Sequence, residues 1–382
     1  MDNSADILEQ LEGDMAFNIL KCLNDPADLI RATGVSRFWH HFAITNGLSK
    51  YLCLKKFPEL SSIECIAEPN CGLTDVGSSG AVEWEQQKRE HNVYASLLQA
   101  LNTSILSPMD CIVKAISASS TDNYPDESII NTLNPRDRYI NRGSYWSSKG
   151  QSDPAVPETL IYNLRANLCV VTEFRIQPFE AFFQPGNPIY SAQYARIRMG
   201  HPKSPNDLEN DLQNVPLQQP ADDKFEWTYI SQDFPMVQEN RLQEFKLPEP
   251  VLCIGGFLQV ELFGRVQRQE MDCLFYICVA RVQVMGRALS PAFDVDVLPS
   301  GKFQLKYYPE ALHQTLQSTS SGEGTGNTRV LSPEEVVWGR VGLLEYLIGG
   351  NQPGHIDWAE EDDDGDDDDE EDENDLDEVL ML

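Results

Sequence analysis

Val171-Thr172-Glu173-Phe174-Arg175-Ile176-Gln177 is the stretch that decides the fold class. Thr172, Phe174 and Ile176 alternate with Glu173, Arg175 and Gln177, the period of two that a half-buried strand requires. The same period recurs on either side. Ala195, Ile197 and Met199 alternate with Arg196 and Arg198, and Leu258, Val260 and Leu262 alternate with Gln259 and Glu261 after the turn-forming Gly255-Gly256. Cys273 to Ala280 is a continuous apolar run, as expected of a central strand covered on both faces, and Val282 and Val284 extend it. Pro178, Pro185-Gly186-Asn187-Pro188, Pro202 and Pro205 punctuate the gaps. Short strands without intervening helices, over 139–287, predict a β-sandwich or barrel.

Toward the N-terminus the period is helical. Leu11, Met15, Ile19 and Leu23, at spacing four, share one helix face; Leu29, Ile30 and Ala32 follow Asp25-Pro26; Val35, Phe38, Trp39 and Phe42 form an i, i+3, i+4, i+7 stripe. Three such helices have more apolar surface than they can hide. Units of under about 40 residues usually need a disulfide, a metal or a partner. Residues 11–57 are therefore expected to be a docking module, and Ser49 to Leu60 continues from the three helices as one more short helix that Pro58 helps end. The alternative is that the stripe caps the next domain.

Residues 61–138 are expected to be a linker and helical connector. Ser61 to Gly80 has linker composition, and Val93, Leu97, Leu98 and Leu101 mark a helix. A second helix is predicted to start at Ser107-Pro108-Met109-Asp110, with Cys111, Ile112, Ala115 and Ile116 as its apolar face. Residues 288–331, rich in Ser, Thr, Gly and Pro, read as a mobile linker. A helix over 332–349 follows, begun by Ser332-Pro333-Glu334-Glu335 and stopped by Gly349-Gly350, then a disordered acidic tail over 351–382.

The 382 residues carry a net charge of −31, but seventeen acids and no Lys or Arg lie between Asp357 and Glu378, so the remainder carries −14. No Lys/Arg-rich stripe offers a surface to phosphates, which argues against a nucleic-acid partner. No run reaches the roughly 18 to 20 apolar residues of a membrane span, and the first residues lack a secretory signal; a cytoplasmic or nuclear location is expected. Nine cysteines without a Cys-x-x-Cys pair, and six histidines with only His40-His41 adjacent, argue against a disulfide scaffold and a metal site. The chain contains no dinucleotide, phosphate-loop, nucleophile-elbow or zinc-protease motif, so neither a cofactor nor catalysis is expected. The tail has three readings: a solubilising segment; a strip that attracts a basic client, with Val379-Leu380-Met381-Leu382 as an apolar anchor; or an internal clamp over Arg196, Arg198, Arg265 or Arg268.

Asp28-Leu29-Ile30-Arg31-Ala32, followed by Gly34-Val35-Ser36-Arg37-Phe38-Trp39 and preceded by Ile19-Leu20-Lys21-Cys22-Leu23, resembles an F-box, the module by which substrate receptors hang on the Skp-type adaptor of cullin-RING (SCF) ubiquitin ligases. One departure is plain: Leu11-Glu12-Gly13-Asp14 stands where the family usually has Leu-Pro-x-Glu. The resemblance implies adaptor contact, and through the adaptor a cullin, by Leu11, Met15, Ile19, Leu23, Leu29, Ile30, Val35, Ser36 and Trp39. Ser144 to Gly150, Glu158 to Tyr162, Val171 to Phe179 and Pro188 to Ala192 resemble a galactose-binding-like, discoidin-type jelly roll, and the whole arrangement resembles a plant F-box family.

The fold class implied is α+β and multidomain: a three-helix F-box, a helical connector, an antiparallel β-sandwich and a disordered acidic tail. The function implied is that of a non-catalytic substrate receptor of an SCF-type ligase, its target protein unspecified. A stand-alone carbohydrate- or peptide-binding sandwich and an acidic chaperone-like binder of basic clients are the alternatives. Discoidin-type folds bind ligands through loops at one end of the sandwich, and the candidates here are Tyr145, Trp146 and Lys149 in one loop and Phe182, Phe183 and Tyr190 in another. Aromatic faces suit sugar or peptide stacking. For Trp146 and Tyr190 the competing role is to plug the end of the core.

Overall fold

The computed structural model describes residues 10–23, 25–69, 79–103, 108–139, 142–204 and 216–317. The helix expected over 332–349 and the acidic tail over 351–382 lie outside these residues. Four short helices open the chain: α1 (Gly13–Leu20), α2 (Pro26–Thr33), α3 (Arg37–Thr45) and α4 (Leu48–Lys56). Their boundaries have local causes. Asp25 accepts a hydrogen bond from the Ala27 amide at 2.9 Å with Pro26 in the first turn of α2, and Ser36 Oγ accepts from the Trp39 amide at 3.3 Å to begin α3. Gly47, at φ 57°, supplies the left-handed turn between α3 and α4. No side chain caps α1, so Asp14 in its first turn, where the helix dipole favours an acid, serves where a proline is missing.

Helix α5 (Ser79–Asn102), 24 residues and about 36 Å long, backs the cluster. Ser49 Oγ meets His91 Nδ1 at 3.1 Å, Lys50 pairs with Glu90 at 2.7 Å, and the Cys53 thiol donates to the Tyr94 carbonyl at 3.3 Å, all between α4 and α5. The His41 ring stacks on Trp84 at 4.5 Å and ties α3 to the same helix.

The longer strands are β1 (Ile63–Ala67), β2 (Ile112–Ala118), β3 (Glu158–Leu164), β4 (Leu168–Glu180), β5 (Ala192–Pro202), β6 (Phe225–Ile230), β7 (Gln243–Ile254), β8 (Phe257–Arg265), β9 (Cys278–Ala288), β10 (Phe293–Val297) and β11 (Phe303–Tyr307). One sheet runs β6-β5-β8-β3-β2; the facing sheet runs β7-β4-β9 and ends on the short strand Met109–Asp110. All pairings within these two sheets are antiparallel. Alternate residues of both enclose one core, with Phe174, Ile176, Ile197, Met199, Leu258, Val260 and Leu262 inside. The architecture is an antiparallel β-sandwich preceded by helices, as the alternation requires.

Three expectations are corrected. The segment expected to be a second connector helix is strand: Met109–Asp110 and β2 pair with β9 and β3, which carries the sandwich back to residue 109. Ser-Pro-x-Asp resembles a helix start, but Ile112, Val113 and Ile116 are β-branched and pack better on a pleated surface. The linkers expected over 61–80 and 288–331 contain a third sheet, in which β1 pairs in parallel with β11 and β10 lines the other side of β11; helix α6 (Leu312–Gln317) follows. Phe293, Val295, Phe303, Leu305 and Tyr307 supply its buried face. The apolar run from Cys273 is not one strand either. Cys273 sits at φ 61°, and Phe275–Tyr276 turns back to pair with Gln267–Arg268 before β9 begins.

The helical cluster is not a separate body on a tether. Leu168, Val170, Leu252, Ile254 and Leu289, at one end of the sandwich, share a core with Leu97, Leu98 and Leu101 of α5, Leu52 of α4 and the third sheet. Arg287 reaches the last turn of α5, where one Nη2 donates to the Ala100 carbonyl. A cation there complements the negative end of the helix dipole.

Candidate functional site

Two surfaces at opposite ends of the molecule have unspent binding capacity. The first is on the helical cluster. Ala16 and Leu20 turn the buried face of α1 inward, while Met15 and Ile19 project from the other side, each about half exposed; Val35, between α2 and α3, is 62% exposed. Two large aliphatic side chains one turn apart on α1, and a third in the turn between α2 and α3, thus face solvent. Fully covering a residue of this kind contributes about 1.5 to 3 kcal/mol, and roughly half of that remains available here.

The structure sorts the remaining sequence candidates. Leu29 is buried at 2% exposure, so its side chain serves the internal core and is corrected from a contact residue to a packing residue. Leu11, Leu23 and Trp39 are half-buried against that same core, and Ile30 is half-buried. Ser36 holds the N-terminus of α3 and through it the position of Val35. The spacing-four stripe Leu11-Met15-Ile19-Leu23 is therefore divided: its ends pack inward and its middle faces out.

The second surface is a cavity of about 180 Å³ at the far end of the sandwich. Strand β4 begins with Leu168 in the helical-end core and reaches the cavity wall at Phe179, its next-to-last residue; eleven steps of about 3.3 Å put roughly 36 Å between them. Tyr145 lies flat on Phe179, ring centroids 3.8 Å apart, and Phe183 lies 6.4 Å from Tyr145. Tyr190 and Tyr276 meet edge to face at 6.2 Å on another side. A Cβ on Gly143 would come within 2.7 Å of the Phe179 ring and 2.8 Å of the Tyr145 ring, so the stack needs glycine beneath it.

Beside the tyrosines and Ser147, the polar groups of the wall are acids and amides: Asp122, Asn123, Glu127, Gln184 and Gln269. Tyr145 Oη donates to Glu127 Oε1 at 2.6 Å, Tyr190 Oη donates to Gln184 Oε1 at 2.7 Å, and Tyr276 Oη donates to Asp272 Oδ2. Glu127 Oε2 is buried and has no hydrogen-bond partner. Burial, then the charges of Glu127 and Asp272, push the Asp122 carboxyl above its ordinary value, and Lys149 partly offsets them. Burial and the bond to Glu127 push the Tyr145 phenol up, so it remains a donor.

Of the six sequence candidates in these loops, Tyr145, Phe183 and Tyr190 line the cavity. Trp146 is corrected: it is fully buried in the sandwich core, and its Nε1 donates to the Ser120 carbonyl at 3.0 Å. Phe182 lies beside the cavity with the Arg138 guanidinium over its ring at 4.4 Å, and the exposed Lys149 does not line the wall. Asp122, Glu127, Phe179 and Tyr276 were not legible as site residues, because four segments far apart in sequence converge to make the wall. The acidic turn-forming stretch Thr121-Asp122-Asn123-Tyr124-Pro125-Asp126-Glu127 was the available signal.

Elsewhere the polar groups are structural. Arg265 is enclosed and matched by Glu158, Ser148 Oγ and the carbonyls of Val156, Lys149 and Phe275, so it offers nothing to an acidic tail. Arg196 and Arg198 already pair with Glu261, and Arg268 Nε donates to the Cys273 carbonyl. Cys111, Cys169 and Cys253 are buried in the sandwich core; Cys169 and burial push the Cys111 thiol up, and burial pushes Cys253 up to about 12, which keeps the thiols of Cys111 and Cys253 protonated and unreactive. Among the described residues no group of three or more His, Cys, Asp or Glu could hold a metal ion, and no helix is long and apolar enough to cross a membrane.

No family model matches the chain. An F-box protein of Arabidopsis thaliana is 48% identical over 309 residues, which cover 79% of this chain and 81% of that protein. Among solved structures, the chain is similar to the family 32 carbohydrate-binding module of Clostridium perfringens NanJ in complex with galactose, at 13% identity over 46% of this chain and 99% of that one, TM-score 0.29. It is also similar to allantoicase from Saccharomyces cerevisiae, at 12% identity over 53% and 56%, TM-score 0.34.

Proposed function

The chain belongs to the F-box protein family, and on that premise we propose that it is the substrate-recognition subunit of a Skp–cullin–F-box ubiquitin ligase. The observation that supports this reading is the exposure of Met15 and Ile19 on α1 and of Val35 in the turn before α3, in a helical cluster otherwise tied to the sandwich. Aliphatic side chains presented together by helices suit a hydrophobic groove on a partner, and a Skp-type adaptor is the partner the family implies. The adaptor would connect the chain to a cullin. Bond-making then belongs to other subunits, and this chain contributes proximity: holding a target protein near the transfer machinery raises the effective concentration of its lysines. The cytoplasm or nucleus is the working location in this reading.

Co-purification of the full chain with a Skp-type adaptor tests it. Capture is expected from the native chain, and at least a tenfold loss from Ile19→Glu combined with Val35→Glu, because two charges would be carried into an apolar interface. Both positions are exposed, so the thermal transition of the variant should match that of the native chain. Undiminished capture by the folded double variant, or none by the native chain, would contradict the proposal.

A further inference from the structure

We propose that the cavity at the far end of the sandwich binds the cationic side chain of a lysine or arginine on the protein that this receptor presents. Charge, hydrogen-bonding inventory and shape each support it. None of the lining residues is a cation, whereas Asp122 and Glu127 are acids. The phenolic protons of Tyr145, Tyr190 and Tyr276 are donated to Glu127, Gln184 and Asp272, so the three phenols can only accept from an occupant, and Asn123 donates to Asp122, which leaves the Gln184 amide as a donor among acceptors. Glu127 is the clearest acceptor: the residue lines the cavity, and its Oε2 is buried without a hydrogen-bond partner. An ammonium or guanidinium has donors and no acceptor, the complement of the acids and phenol oxygens of this wall.

The aromatic lining fits the same occupant. Tyr145 stacked on Phe179, with Phe183 beside them and Tyr190 and Tyr276 across, provides ring faces that attract a cation electrostatically and accept the methylenes of its stem. At about 180 Å³ the cavity is smaller than the roughly 300 to 1,000 Å³ of pockets for drug-sized molecules, and it suits one side chain. The rim supports a protein as the source of that chain. Phe183 is 55% exposed at one edge, and Met271 is 93% exposed at the tip of the hairpin whose Gln269 lines the cavity, so apolar contacts are available beside the charged one.

The inference rests on the receptor reading in one respect, that the cation belongs to a target protein. Saturation-transfer NMR on the full chain, with Nα-acetyl-lysine methylamide as probe, tests the pocket. Saturation is expected at the ε-methylene of the probe, and at least a tenfold weaker response from Nε-acetyl-lysine, from the norleucine analogue and from galactose. Asp122→Asn combined with Glu127→Gln, which keeps the shape of the wall, is expected to weaken lysine binding at least tenfold. Tyr145→Phe, which frees Glu127 Oε1 and keeps the ring, is expected to leave lysine bound within threefold. An equal response from norleucine, preference for galactose, or unaltered lysine binding by the folded acid variant would overturn the proposal. Ile19→Glu should leave the lysine response unchanged. Failure of adaptor capture with lysine binding intact would count against the receptor reading alone, and loss of lysine binding with capture intact against the pocket alone.

Discussion

The two ends of the sandwich are held by opposite means. At the helical end Leu168, Val170, Leu252 and Leu289 pack against the leucines of α5, and the buried Arg287 has a single carbonyl as partner while its Nε and Nη1 are unpaired. At the cavity end Arg265 is fully buried against Glu158, and Glu158 also accepts from Ser119 and Ser120, so the loops around residues 119, 148 and 275 are joined by a matched ionic network. The two kinds of packing suit the ends to different tasks. Apolar packing leaves the helices one surplus face of the same character, suited to area-driven association; polar matching holds converging loops in a fixed geometry, suited to selecting one side chain.

Removing the cation at the cavity end should have the largest effect. Arg265→Met leaves Glu158 buried without its partner and is expected to cost about 3 to 5 kcal/mol in urea unfolding, with part of the loss recovered on adding Glu158→Leu. A loss below about 1 kcal/mol would mean that the ionic network does not secure this end.

A pH effect at the helical end should come next. His91 is buried between α4 and α5, and desolvation, aided by the nearby His40, lowers its pKa to about 4 from the ordinary 6.5. Below pH 6.5 the unfolded chain therefore takes up a proton that the folded chain refuses, so this contribution to stability falls as the pH drops from about 6.5 toward 4. Between pH 7 and pH 5 the native chain should lose about 2 kcal/mol more than His91→Gln does. Equal losses in the two proteins would contradict it.

The smallest effect should come from the cation at the apolar end. Burial lowers the pKa of Arg287, a sign that its charge is poorly compensated. Arg287→Leu is expected to leave unfolding stability within about 1 kcal/mol of the native value, or to raise it. A loss comparable to that of Arg265→Met would erase the distinction between the ends.

Legibility in the sequence followed locality. The strands at Thr172–Ile176, Ala195–Met199 and Leu258–Leu262 each alternate on their own, and they were readable. So was the alternation of Phe293-Asp294-Val295 and Phe303-Gln304-Leu305, but Ser-, Gly- and Pro-rich flanks masked it as linker. Residues 112–118 misled because a capping signature outweighed β-branched content in a run too short to fix its period. In α1 the spacing was right and the face was mixed: Ala16 and Leu20, also four apart, take the inward face, and Met15 and Ile19 stay out. The cavity was the least legible feature, since its acids and rings come from segments up to about 150 residues apart and no local pattern records their convergence.

Hydrogen exchange of the full chain, with and without a Skp-type adaptor, tests the central claim most directly, that the adaptor grips the apolar helical face and leaves the far end open. Protection is expected over residues 13–20 and 33–37, with exchange unchanged over 121–128 and 269–276. Protection confined to those far-end loops, or none over the helices while the adaptor is bound, would contradict the account.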